Sequence, residues 1–218
     1  MRLNRYIATY SDLSRRKADA LIEQGVVVVN RKPAHVGMDV DDKDTVVVEG
    51  KKLLPVKRAT TTIILNKPAG FVCSKDGQGS PTVYDLLQNR MQHLNTAGRL
   101  DKDSSGLVVM TNDGLLHQQL THPSYNKKKV YEVMLDDKLS EPSLQEVREG
   151  IDIGDERLSK MEISPIGDTT YRVTLTEGRN RQIRRTFEAL KSKVLKLHRT
   201  ELGPYELDNL KPEQFKYV

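Results

Sequence analysis

The sequence predicts an α+β protein: a small N-terminal unit of helix and short strands, then a larger domain with a mixed, mainly antiparallel sheet flanked by helices. Three observations carry this. Ala18, Leu21 and Ile22 recur at helical spacing just ahead of valine-rich runs separated by polar turns. Beyond about Thr61 the strand-like runs become longer and are punctuated by Gly, Pro, Asn and Asp. Between these regions, KKLLPVKRAT mixes a proline with basic residues, as a linker does.

Taken in order, residues 1–53 form the first predicted unit. SRRKADALIEQG reads as an amphipathic helix stopped by Gly25. VVVVN, a turn at NRKP, AHVGMDV, a polar turn at DDKD, and TVVVEG then read as short strands joined by hairpins. Residues 54–60 are the expected linker, and 61–218 the larger domain. Its strand candidates are TTIILNK, GLVVMTN, KKVYEVML and YRVTLTE. One helix candidate, RQIRRTFEALK, aligns Ile183, Thr186, Phe187 and Leu190 in a single stripe. No internal repeat or low-complexity tract interrupts the chain.

The 218 residues carry 35 Lys+Arg against 30 Asp+Glu, a net charge of +5. That excess is modest, but its placement is not. Residues 177–199 hold eight Lys/Arg and two Glu, a local +6, which is the footprint of a polyanion partner. Cys73 is the only cysteine, which excludes an intrachain disulfide and a cysteine-based metal cluster and fits a reducing compartment. The polar start MRLNRYIATYSDLSRR does not read as a signal peptide, and no apolar run approaches the roughly 20 residues a membrane span needs. The expectation is a cytoplasmic, soluble chain. With no Trp and three Phe, any surface for stacking bases rests on a few Tyr, Phe or Arg side chains.

Two clusters bear chemistry. Ser14-Arg15-Arg16-Lys17 opens the first predicted helix, where the positive helix end and three cations suit a phosphate backbone; a solvated helix start is the plain alternative. Gly98-Arg99-Leu100-Asp101-Lys102-Asp103-Ser104-Ser105-Gly106-Leu107 leads into a strand. It reads as an acidic turn, as a cation loop or as a carboxylate nucleophile at a loop–strand junction. The cation loop fits poorly, because Asn112 stands where a bidentate Glu is needed.

Gly98–Leu107 resembles the G-R-L-D-x-x-[ST]-x-G-L signature of pseudouridine synthases. Asn66–Gly70, Thr111–Gly114, Lys129–Tyr131 and Glu177–Arg185 stand around it in the order of that family's ribosomal RNA branch. LNRYIA…SRRKADALIEQGVVVVN, over roughly residues 2–48, is similar to the alpha-L RNA-binding module. The resemblance implies an isomerase that turns a specific uridine of ribosomal RNA into pseudouridine. It implies that Asp101 is the catalytic aspartate, that Tyr131 packs on the target base and that Arg184 pairs with Asp101. Ile183 and Lys67 align with pocket positions. Arg15, Arg16, Lys17, Arg99, Arg179, Arg181 and Arg185 are the expected RNA contacts. On a helical wheel Arg184 borders the apolar stripe, whereas Arg181 and Arg185 lie together on another face.

This chemistry breaks an N–C glycosidic bond, turns the uracil and rejoins it through carbon, so no cofactor or metal is expected. The expected partner is ribosomal RNA or a ribosome-assembly intermediate, met by a monomer, with a lean toward 23S. The rivals are a non-catalytic RNA-binding or assembly factor on the same fold, and a glycoside hydrolase. The first would not need Asp101, Tyr131 and Arg184 together, and the second needs another well-placed acid.

Overall fold

Ser14 caps the helix Arg15–Glu23: its side chain accepts from Lys17 N at 3.2 Å. A computed structural model describes residues 1–11, 13–56 and 59–218, divided into two units, Met1–Ala59 and Thr60–Val218. The expected linker at 54–60 falls partly on Lys57 and Arg58, which lie outside the described residues.

In the first unit, α1 (Leu3–Tyr10) and α2 (Arg15–Glu23) pack on a small antiparallel sheet. Its strands are β1 (Val27–Val29), β2 (Lys32–Pro33), β3 (Val46–Val48) and β4 (Lys51–Lys52), in the order β2-β1-β3-β4. Leu3, Tyr6 and Ile7 of α1 meet Ala18, Leu21 and Ile22 of α2 over Val27 and Val46. AHVGMDV is not a strand. Met38 N bonds back to His35 O, and Leu3 N and Val40 N bond to Met38 O and Met1 O, so this segment's polar groups are satisfied by the start of the chain.

The second unit is a nine-stranded mixed sheet. Its strands are β5 (Thr62–Lys67), β6 (Asn95–Thr96), β7 (Ser105–Thr111), β8 (Lys129–Leu135), β9 (Glu162–Pro165), β10 (Thr170–Leu175), β11 (Val194–Leu202), β12 (Tyr205–Glu206) and β13 (Phe215–Tyr217). The order is β13-β5-β7-β11-β8-β10-β9, with β6 on β7 and β12 on β11. β7 and β11 pair in parallel; the other strand pairs are antiparallel. The helices are α3 (Gly114–Thr121), α4 (Glu141–Glu149) and α5 (Gln182–Ala189).

One sheet face carries the larger core, where α5 inserts Ile183 and Phe187 and α4 inserts Leu144 and Val147. The other face packs Ile64, Leu107, Val109 and Leu202 against Leu120 of α3. The four strands expected from sequence are β5, β7, β8 and β10. Central β11 was not expected. Its register against β8 shifts between Val194 and Lys196 and again between Arg199 and Glu201, which breaks the alternation a strand reading depends on. No helix among the described residues is long and apolar enough to cross a membrane.

Candidate active site

Asp101 lies in the loop that feeds β7, and the loop is held from below by a buried lysine. Lys67 ends β5 fully buried, with its Nζ donating to Ser104 O at 2.5 Å and Pro68 O at 3.0 Å and lying 3.5 Å from Lys102 O. Gly70 N also donates to Lys102 O, at 2.7 Å. Leu100 N donates to the Cys73 thiol, and Ser104 N donates to Asp101 O. The NKPAG segment thus acts as a cradle for the loop's carbonyls. Burial holds the Lys67 ammonium below its ordinary range, against the opposing pull of Cys73, Asp103 and Asp101.

Two arginines face the loop from the start of α5. Arg181, in a left-handed conformation at the N-cap, reaches both Asp103 oxygens at 3.2 and 3.3 Å and stands 3.6 Å from Asp101 Oδ2. Arg184 Nε stands 3.2 Å from Asp103 Oδ2, and its two terminal nitrogens donate to Asp103 O and Val194 O. The pairing of Arg184 with Asp101 expected from the family is therefore corrected. Arg184 grips Asp103, and Arg181 bridges the two carboxylates. A helical wheel could not show this, because Arg181 sits at the helix cap, off the helical phase.

Asp103 is a site residue that the family motif does not single out. Burial pushes its carboxyl up, but the Arg181 hydrogen bonds and the Arg184 and Arg181 charges outweigh that and hold it below the usual carboxylate range. Its signal in the sequence was a second acid two residues from the first, opposite an arginine-rich helix start. Both acids of the would-be cation loop are aimed at guanidinium groups.

Arg179 and Arg185 turn inward, away from the role of phosphate contacts. Arg185 pairs with Asp155 at 2.7 Å and donates to Ile153 O. Arg179 pairs with Asp155 at 3.2 Å and Glu177 at 2.9 Å and donates to Arg157 O and Leu158 O. Together they clamp the 153–158 loop to the turn that presents Arg181. Inside this clamp Gln182 Nε2 donates to Ser159 Oγ and Glu177 Oε1, and Thr186 Oγ1 also bonds to Ser159 Oγ.

Tyr131 is buried on β8, paired across to Arg199 of β11 and Val173 of β10, on the face that carries the larger core. Ile183 is buried in that core. Arg99 is exposed at the loop's entry. In the N-terminal unit Arg15, Arg16 and Lys17 are exposed in the first turn of α2, which carries no acid; Arg15 touches Asn4 Oδ1 at 3.3 Å. Three cations at the positive end of a helix oppose its dipole, an arrangement relieved by an anionic partner.

The fold and this loop define an RNA pseudouridylate synthase: the model of that family matches residues 61–189, more than half of the chain. The chain is 34% identical over 215 residues to the ribosomal small subunit pseudouridine synthase A of Pasteurella multocida, covering 96% of this chain and 91% of the relative. It is 35% identical over 211 residues to the dual-specificity RNA pseudouridine synthase RluF of Escherichia coli, covering 96% and 72%. A solved crystal structure of a pseudouridylate synthase superposes with a TM-score of 0.74 at 32% identity, covering 100% of this chain and 96% of that one. The chain belongs to the RNA pseudouridine synthase family, a family of isomerases.

Proposed function

We propose that this enzyme converts a uridine of ribosomal RNA to pseudouridine and that Asp101 is the carboxylate that meets the target nucleoside. The observation that carries the choice of Asp101 is the contrast within one loop. The two side chains are about equally exposed, but Asp103 is engaged by Arg181 and Arg184, each at 3.2 Å, whereas Asp101 has a single guanidinium, at 3.6 Å. A carboxylate that must act on a sugar carbon needs a free lone pair and an open approach. Arg181 keeps it oriented without occupying it. Tyr131 supplies a ring for the base once it leaves the RNA stack, offsetting part of an unstacking cost of about a few kcal/mol.

The cations of α2, with Arg99 and Arg181, form the RNA-facing set; phosphate contacts of this kind give affinity and position without reading sequence. In place of the expected lean toward 23S we propose the small-subunit RNA as the target. The P. multocida relative bears the small-subunit name and matches along nearly its whole length. The test measures tritium released from carbon 5 of uridine in small- and large-subunit transcripts. Release from the small-subunit RNA, lost in Asp101→Asn, is the expected result. Release by Asp101→Asn at the wild-type rate would overturn the assignment of Asp101, and release from the large-subunit RNA alone would overturn the choice of substrate.

A further inference from the structure

Arg199, in the middle of β11, is 3% exposed, and no carboxylate pairs with it among the described residues. Its Nε donates to Leu107 O at 2.8 Å, and Nη2 is buried without a hydrogen-bond partner. A buried charge resting on one neutral carbonyl is costly to fold around. Replacing such a group with an apolar residue of similar size is often neutral or stabilising. Packing alone therefore does not account for an arginine here.

Its neighbours show where the charge acts. In register across adjacent strands, Lys67 of β5 stands beside Gly106 of β7, Gly106 beside Arg199 of β11, and Arg199 beside Tyr131 of β8. Directly paired residues share a sheet face, so this row runs beneath the loop that carries Asp101. Gly106 is the residue of β7 that faces Arg199 in the parallel pairing. Its φ is +106°, and a Cβ there would stand 2.2 Å from Arg199 O. The missing side chain lets β11 bring Arg199 under the loop. Burial lowers the Lys67 ammonium's proton affinity, and the Arg199 charge adds to that effect; it adds likewise to the burial-driven lowering at Lys129. The floor of the site therefore holds Arg199 and Lys67 side by side, with Asp101 and Asp103 of the loop as the opposing charges at Lys67.

We infer that Arg199 is a positioning residue of the isomerisation: from beneath the loop that carries Asp101 it supplies the buried positive charge that stabilises the uracil while it is detached. The inference rests on the reaction proposed above. When the N1–C1′ bond breaks, its electron pair leaves with the base, so the ring carries negative charge until a C5 electron pair forms the new bond to C1′; loss of the C5 proton to solvent and gain of a proton at N1 then give the neutral pseudouracil. Charge that forms over a preorganised cation in a dry site is stabilised without reorganisation.

The test sets stability against turnover. Arg199→Met, Arg199→Gln and Arg199→Lys are compared with wild type in thermal melts, in RNA titrations and in single-turnover tritium release at saturating RNA. Arg199→Met is expected to melt at or above the wild-type temperature and to bind RNA within about twofold, yet to convert it at least about tenfold more slowly. Arg199→Gln keeps a donor for Leu107 O without the charge and should be equally slow, while Arg199→Lys recovers part of the rate. Wild-type turnover in Arg199→Met or Arg199→Gln would overturn the inference. So would a rate loss matched by a fallen melting temperature in all three variants, which is the mark of a purely structural arginine. A wild-type chain that converts neither ribosomal RNA would sink the proposed substrate, and this inference with it, whereas a wild-type rate in the variants sinks this inference alone.

Discussion

Replacing Asp103 with Asn should cost both stability and turnover, whereas the same change at Asp101 should cost turnover alone. The Asp103 carboxylate pairs with Arg181 and with Arg184, each at 3.2 Å. The aspartate and Arg181 side chains are close to half exposed, whereas Arg184 is only 13% exposed. Solvent screening holds exposed pairs below about 1 kcal/mol each, so the two together contribute at most about 2 kcal/mol. For a unit of this size that lowers the melting temperature by at most about 4–8 °C. Because Asp103 holds both arginines, its loss also frees Arg181 from its place beside Asp101; misplacement by about an ångström costs on the order of a hundredfold in rate. Asp101 has one contact, at 3.6 Å, so Asp101→Asn should melt within about 1 °C of wild type while losing activity. The pH dependence follows from the depressed Asp103 carboxyl. Its stabilisation is complete above the ordinary value of 3.8 and is lost as pH falls through the lower folded value. Melts of wild type and Asp103→Asn should therefore differ at neutral pH and converge in acid. Turnover by Asp103→Asn within twofold of wild type would refute the idea that this residue sets the geometry of Asp101.

Arg184→Met should slow turnover at saturating RNA far more than it weakens binding, because the guanidinium is spent on Asp103 and Val194 O; a loss of affinity alone would make it a phosphate contact. Changing Arg15, Arg16 and Lys17 together to Ser should weaken RNA binding and flatten the log–log salt dependence by up to about 2, at roughly 0.7 per single-strand phosphate contact. An unaltered slope in filter-binding titrations would remove the α2 start from the RNA interface. His198 is held below 6.5 chiefly by burial, with Lys196 adding to this and Glu132 opposing it. The unfolded chain therefore binds the extra proton first, and stability rises with pH from the depressed value to 6.5. His198→Gln should shrink the gain in melting temperature between mildly acidic and neutral buffer, and an unchanged gain would place the acid sensitivity elsewhere.

The parts of the fold legible in the sequence are those where one local rule dominates. Ile183, Thr186 and Phe187 mark α5 because a buried helix stripe repeats at 3.6 residues. TTIILNK and GLVVMTN mark β5 and β7 because central strands covered on both faces are apolar throughout. β11 was hidden because a bulged strand that carries His198 and Arg199 toward two different faces lacks a clean period. The site divides the same way. Asp101, Tyr131 and Lys67 stand out in short motifs, whereas the partner of each arginine is set by where α5 begins. Arg181 bridges the two carboxylates from a left-handed cap, and Arg185 turns inward to Asp155. Neither assignment follows from a wheel that treats 181–191 as one uninterrupted helix.

On the role proposed for Asp101, the arrangement also accounts for two acids in one loop. A single aspartate facing Arg181 and Arg184 would be gripped by both, and a carboxylate accepting from two guanidinium groups has little left for a sugar carbon. Placing Asp103 two residues on gives the arginines a fixed anchor, and its backbone carbonyl takes one more donor from Arg184. Lys67 is likewise spent on carbonyls of the same loop, Lys102 O and Ser104 O. Arg181, Arg184 and Lys67 thus each have an acceptor other than Asp101. Asp103 and the loop carbonyls have their partners, whereas the Asp101 carboxylate has only Arg181 at 3.6 Å. A chain that merely bound RNA would gain nothing by holding one carboxylate open in this way, so the contrast between the two acids favours an enzyme over a binding factor on the same fold.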